Sequence, residues 1–219
     1  MKISLENVNI KIEGGKAVLD LTEDQLVQLL RQQEKTLANF MPGDQITVAG
    51  YTFIVLEHDT DGTLIIPKDL LTSRKFDFDS NLWSGSKLRD WLYNSDLYQA
   101  IGRKCMREFK RDLTSMDGLT DYGAIEDTIS LLTFDEYRKY HTILGLDFNY
   151  SNCWWLLTPA SAPSNDCFRS VCCVNTRGIP TWSDCDSTIC VRPVLKLQSS
   201  ILIKPANKSI SSFRKEQTK

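Results

Sequence analysis

With 219 residues, 42% hydrophobic and 25% charged, the chain has apolar material for one sizeable core, alone or with a small appendage, and global disorder is excluded. A formal net charge of −2 offers no basic field to a nucleic-acid backbone, and no apolar run approaches the roughly 18–20 residues of a membrane span. Residues 1–7 lack the apolar stretch of a secretory signal, so a cytoplasmic protein is expected, in the host cytoplasm if a phage encodes it.

Val8, Ile10 and Ile12 alternate with polar residues at strand period, and Gly14-Gly15 turns the chain toward a returning strand at Val18-Leu19-Asp20-Leu21. Thr22-Glu23-Asp24-Gln25 has the form of a capping box and opens a helix with Leu26, Leu29, Leu30 and Leu37 on one face. Residues 1–40 thus read as a small strand-helix appendage. A new unit starts at Met41-Pro42-Gly43-Asp44. It opens with a β-meander: Ile46 and Val48, a turn at Gly50, a strand from Tyr51 to Leu56, a turn at Asp59-Thr60-Asp61-Gly62, and Thr63-Leu64-Ile65-Ile66 closed by Pro67.

Lys68-Asp69-Leu70-Leu71 reads as a short helical piece. Ser86 suits the N-cap of a helix that turns Leu88, Trp91 and Leu92 inward, and a second helix is expected over about residues 96–109. A turn-rich loop spans residues 115–123. An apolar strand follows at residues 128–132, and Thr133-Phe134-Asp135-Glu136 caps a helix ending near Tyr140. Trp154-Trp155-Leu156-Leu157 is a strand, residues 160–166 a loop, and residues 170–175 and 179–182 a hairpin about Thr176-Arg177-Gly178. Residues 184–188 form a loop, residues 191–197 the closing strand, and residues 201–219 a polar tail.

Five of these segments, taken in order, resemble the DUF6273 family of bacterial and phage proteins over residues 41–198. They are Gly43-Asp44 with the meander, the run Trp83-Ser84-Gly85-Ser86-Lys87-Leu88-Arg89-Asp90-Trp91-Leu92, and Ser130-Leu131-Leu132-Thr133-Phe134-Asp135-Glu136. Trp154-Trp155-Leu156-Leu157-Thr158-Pro159 and Val191-Arg192-Pro193-Val194-Leu195 complete the set. The chain departs from the family at Leu157, where Arg is usual, and at Cys190, where Gly is usual. The resemblance implies an α+β, C-type-lectin-like domain over residues 41–200, a mostly antiparallel sheet flanked by helices, related in fold to formylglycine-generating enzymes. It implies a fold more firmly than a function.

Trp83, Trp91, Trp154 and Trp155 fall in the signature segments and are expected in the core, since each ring buries on the order of 150–250 Å². Arg192 is expected to pair with a carboxylate such as Asp90 or Glu136, a ligand role being the other reading. Trp182, in a polar hairpin, reads either as packing or as an exposed anchor. In lectin-like domains residues 160–190 would form the ligand face, with Asn165, Asp166, Phe168, Arg169, Arg177, Trp182, Asp184 and Asp186 as candidate binding residues, solvated loop being the alternative.

The seven cysteines, an odd count without an export signal, point to reduced thiols packed as small hydrophobes. Their spacing includes no Cys-x-x-Cys pair for zinc, and the lectin-type sugar-binding triplets of a calcium site are missing. Cys167 and Cys172, followed by Cys190-Val191-Arg192, resemble the copper-thiolate pair of formylglycine-generating enzymes, although residues five apart on one strand face opposite ways unless a bulge intervenes. No nucleophile elbow, P-loop or zinc-protease motif occurs. The expectation is a non-enzymatic module without cofactor that recognises a protein or other macromolecule, with no nucleic acid or membrane as partner. The alternatives are a phage inhibitor of a host defence enzyme and a copper-thiolate oxidase.

Overall fold

The computed structural model describes residues 9–13, 16–20, 22, 35–144 and 152–205. Alternation at the start of the chain builds an antiparallel hairpin of β1 (Asn9–Glu13) and β2 (Lys16–Asp20), with Asn9 opposite Asp20 and Glu13 opposite Lys16. Most of the helix expected from Thr22 lies outside the described residues. At its C-terminal end the backbone is extended in β3 (Lys35–Thr36), and Leu37 enters a single 3-10 turn.

The meander forms as expected, through β4 (Gln45–Val48), β5 (Tyr51–His58) and β6 (Thr63–Pro67). Val48 faces Tyr51 across a two-residue turn in which Ala49 and Gly50 have φ of 50° and 84°. Positive φ at both central positions matches the right-handed strand twist, and glycine supplies one of them without strain. All of β6 is buried: Ile65 joins one apolar cluster and Leu64 and Ile66 another, which is why its sequence is a continuous apolar run rather than an alternating one.

After β7 (Ser73–Arg74), Ser86 caps α1 (Lys87–Tyr93) by accepting from the Arg89 amide. The next helix is shorter than the sequence suggests. α2 (Asp96–Ile101) stops at Gly102, whose φ of 81° ends the helical path. Residue 109, the expected end of that helix, instead opens β8 (Phe109–Asp112), in which Phe109 and Arg111 are buried and Lys110 and Asp112 exposed at strand period. β8 pairs with β9 (Ala124–Asp127), and β10 (Ile129–Leu131) follows. A full Thr133/Glu136 capping box opens α3 (Phe134–Tyr140). Residues 68–71 are not helical either: the Lys68 and Leu71 amides donate to the carbonyls of Thr52 and Val191, partners that a helical turn cannot offer.

The last third contributes β11 (Trp154–Pro159), β12 (Ser170–Val174), β13 (Pro180–Asp184), β14 (Ile189–Cys190), β15 (Pro193–Leu197) and β16 (Leu202–Pro205). The expected closing strand, residues 191–197, forms as β15 from Pro193, and β14 is an additional short strand just before it. β14 lies in a five-stranded sheet ordered β13-β12-β11-β14-β7, whereas β15 lies in a seven-stranded sheet ordered β10-β15-β6-β5-β4-β16-β3. Val191 and Arg192 carry the chain from one sheet to the other. Pairing is antiparallel except between β11 and β14. The architecture is α+β, and among the described residues no helix is long and apolar enough to cross a membrane.

Two boundaries move. β3 extends the seven-stranded sheet through β16, and Leu37, Phe40 and Ile203 are buried in the same cluster as Phe53 and Trp155. Residues 35–40, assigned from sequence to the appendage, and 201–205, assigned to the polar tail, thus belong to the main unit.

Candidate binding face

The signature run around Trp83 is held by one buried acceptor. Asp127, 1% exposed at the end of β9, accepts from Trp83 Nε1 at 2.6 Å, from Arg89 Nε and NH2 at 3.0 and 2.7 Å, and from the Tyr93 hydroxyl at 2.9 Å. These bonds lock α1 to β9 and occupy both carboxylate oxygens, so the group is structural. Trp83, Trp154 and Trp155 are buried as expected, and Trp91 is half-buried beneath the Arg74 guanidinium at 4.8 Å.

Arg192 has among its contacts two backbone carbonyls that the sequence did not point to. Its fully buried guanidinium donates to the backbone carbonyls of Pro67 at 2.9 Å and Lys68 at 3.1 Å and lies 5.5 Å from the centre of the Trp154 ring. Glu136 is engaged by Arg111, which reaches both its carboxylate oxygens at 2.7 and 2.5 Å, and Asp90 is exposed on α1. Arg192 thus ties the strand crossing to the end of β6.

The face formed by residues 160–190 rests on polar posts that belong to no sequence motif. Asn81, fully buried, donates from Nδ2 to the carbonyls of Ser161 and Ser170, both at 2.9 Å, and accepts from the Tyr122 hydroxyl at 2.6 Å. Its amide donates to the Phe168 carbonyl at 2.8 Å. Asp117 accepts from the hydroxyls of Ser115 and Ser161, and more weakly from Asn165 at 3.4 Å. Asp121 accepts from the amide and hydroxyl of Ser164 at 2.8 and 2.7 Å. The Ser115 and Ser161 hydroxyls hold the Asp117 carboxyl below the usual range, and the Ser164 hydroxyl and amide do the same for Asp121. An irregular loop is thereby fixed at both ends and in the middle.

The predicted binding residues fall into distinct settings. Asn165 belongs to the anchoring network, and Asp166 is in the left-handed region at φ 51°, ending a 3-10 turn. Asp184 accepts from Ser170 Oγ at 3.4 Å. Arg169 lies between Asp186, at 3.5 Å, and the Phe78 carbonyl, at 3.4 Å. Arg177 is exposed in the hairpin turn, where the Asn175 side chain accepts from its amide. Trp182 is 60% exposed and Phe168 44%.

Two further members of this face had no sequence signal. Phe78 is exposed beside Arg169, and Met116 is exposed with its sulfur 3.7 Å from that of Cys172. Trp182 lies directly opposite Cys172 in the β12-β13 register, so the two side chains share a sheet face with Met116 against the thiol. With Ile179 at the hairpin turn, five of the seven large apolar side chains exposed among the described residues belong to this hairpin and the loops beside it. β13 is also the outer strand of its sheet.

All seven thiols are unpaired. Cys167 is exposed, whereas burial, reinforced by neighbouring Cys173, pushes Cys172 up to about 12, so this thiol stays protonated at neutral pH. Burial, with Cys153 nearby, pushes Cys173 to about 12 as well. Copper would require thiolates, and a protonated, enclosed Cys172 is a poor ligand. Among the described residues no group of three or more His, Cys, Asp or Glu side chains is placed to hold a metal, Asp166, Asp184 and Asp186 included. Compared with family models, curated proteins and solved structures, the chain matches none.

Proposed function

We propose that this chain is a non-catalytic, C-type-lectin-like recognition module of the DUF6273 kind, which binds a protein partner in the cytoplasm through the face of residues 160–190. The observation that carries the reading is Trp182, 60% exposed on the outer strand β13, next to a loop whose backbone is fixed by buried or hydrogen-bonded polar side chains. Aromatic anchors surrounded by lesser contacts supply most of the energy of protein interfaces. A preformed loop lowers the ordering cost that binding otherwise incurs. Met116 is exposed against Cys172, the residue opposite Trp182, Phe168 is exposed in the loop that leads into β12, and Arg169 meets Asp186 beside it. Unpaired thiols suit a reducing compartment.

The test is affinity capture with quantitative cross-linking from cells that contain the protein, comparing the natural chain with Trp182→Ala and Phe168→Ala. Loss of an anchor costs at least about 2 kcal/mol, roughly thirtyfold in affinity. A specific protein captured by the natural chain and released by Trp182→Ala supports the reading. An unchanged capture profile sinks it.

A further inference from the structure

The opposite edge of the five-stranded sheet carries a second feature. β7 is its outer strand there, and beside it a cleft of about 320 Å³ is lined by Arg74, Lys75, Lys87, Phe78 and Trp91, with Ser73 and Thr188. The lining contains three cations and no carboxylate. Among the described residues none of the three makes an ion pair, whereas Arg89, Arg103, Arg111, Arg138 and Arg169 each meet a carboxylate. The concentration of positive charge is local, since the whole chain carries a formal charge of −2.

The cations are also held in place. The Arg74 guanidinium lies 4.8 Å from the Trp91 ring centre and the Lys75 ammonium 5.4 Å from that of Phe78. The Arg74 carbonyl accepts from the buried Trp155 indole at 2.8 Å, which fixes the strand from behind. An arginine stacked on an aromatic ring keeps its planar fork free for a carboxylate. The stacked cations occupy ring faces that a nucleobase would need, which favours a peptide carboxylate over a base. Ser73 and Arg74 are exposed on an outer strand, the setting in which an extended segment adds alongside a sheet.

We propose that this cleft docks an extended acidic segment of the protein partner, its Asp or Glu side chains meeting Arg74, Lys75 and Lys87. The inference rests on the reading of the chain as a protein-binding module and supplies the chemistry of its partner. Phe78 connects the two regions, since its ring lines the cleft and its carbonyl accepts from Arg169 on the 160–190 face.

The probe is a fluorescein-labelled peptide of alternating Glu and Val, followed by anisotropy with the full chain at low and at physiological salt. One variant carries Arg74→Glu, Lys75→Glu and Lys87→Glu. A control of equal charge change carries Lys104→Glu, Arg107→Glu and Lys110→Glu, all exposed and outside the cleft. A milder pair, Lys75→Gln with Lys87→Gln, covers the case in which triple reversal unfolds the protein. Binding that weakens with salt, falls about tenfold or more in the cleft triple, falls measurably in the Gln pair, and survives in the control supports the proposal. Absence of binding, equal loss in both triples, or preference for an oligothymidylate of similar length overturns it. The two readings fail separately: the recognition face fails on Trp182→Ala, the acidic segment on the cleft variants.

Discussion

Replacing Asn81 by Ala tests whether the binding face is held in shape from below. The substitution removes two hydrogen bonds to the Ser161 and Ser170 carbonyls and one from the Tyr122 hydroxyl, all at a fully buried side chain. Tyr122 is half-buried and regains water, so its loss is small. The Ser161 carbonyl loses its side-chain partner inside the protein, at about 1–2 kcal/mol, while the Ser170 carbonyl keeps the Ala160 amide and loses about 0.5 kcal/mol. The sum is about 2 kcal/mol, a large share of the roughly 5–15 kcal/mol that stabilises a domain. With a urea dependence of about 2 kcal/mol per molar, the unfolding midpoint falls by about 1 M. Hydrogen exchange should show loss of protection concentrated at residues 161–170, with the meander strands little changed below the global limit. Asn81→Asp should be worse than Ala, because it directs a carboxylate at the same two carbonyls. A loss under about 1 kcal/mol in Asn81→Ala, with unaltered exchange in the loop, would refute the claim that this side chain organises the face.

Three other predictions follow from the same geometry. Asp127→Ala strands a partly buried guanidinium and the indole N–H of Trp83, and should cost about 3–5 kcal/mol in urea unfolding. Asp117 and Asp121 titrate below their ordinary 3.8, so the loop stabilisation they provide is complete above that value and is lost as pH falls through their lowered values. Amide protection at residues 161–165, corrected for the intrinsic pH dependence of exchange, should therefore hold down to about pH 4 and fall below it. Under native conditions near pH 8, Cys167 should react first with a thiol reagent, while Cys172 and Cys173, pushed up to about 12, should react only on unfolding.

What was legible in the sequence was local. Ser86 and the pair Thr133 and Glu136 announce helix starts because a cap needs only the next three residues. The meander is legible because turn chemistry at Gly50 and Asp59-Gly62 lies between short apolar runs. Where local cues compete, the reading failed. Apolar residues over 96–109 fit helical spacing until Gly102 turns the backbone, after which the Phe109 and Arg111 alternation takes over. Lys68-Asp69-Leu70-Leu71 has helical composition, but its amides find partners on β5 and beside β14. The posts of the candidate face were illegible for a plainer reason: Asn81 is 80 residues from Ser161, and nothing near Asn81 announces that separation. The bonds from Arg192 to the Pro67 and Lys68 carbonyls are non-local in the same way and leave no mark in the sequence.

The case for recognition rests on two features that point the same way. Leaving rings such as Trp182, Phe168 and Phe78 about half in water forgoes about 1 kcal/mol each relative to burial, in a fold that buries Trp83, Trp154 and Trp155 almost completely. Meanwhile Asn81, Asp117 and Asp121 order an irregular loop that contributes few apolar side chains to either core cluster. Core stability alone accounts for neither. Ordering the backbone while exposing the rings reduces the entropy lost when a partner covers them, and this is the combination expected of a preformed interface.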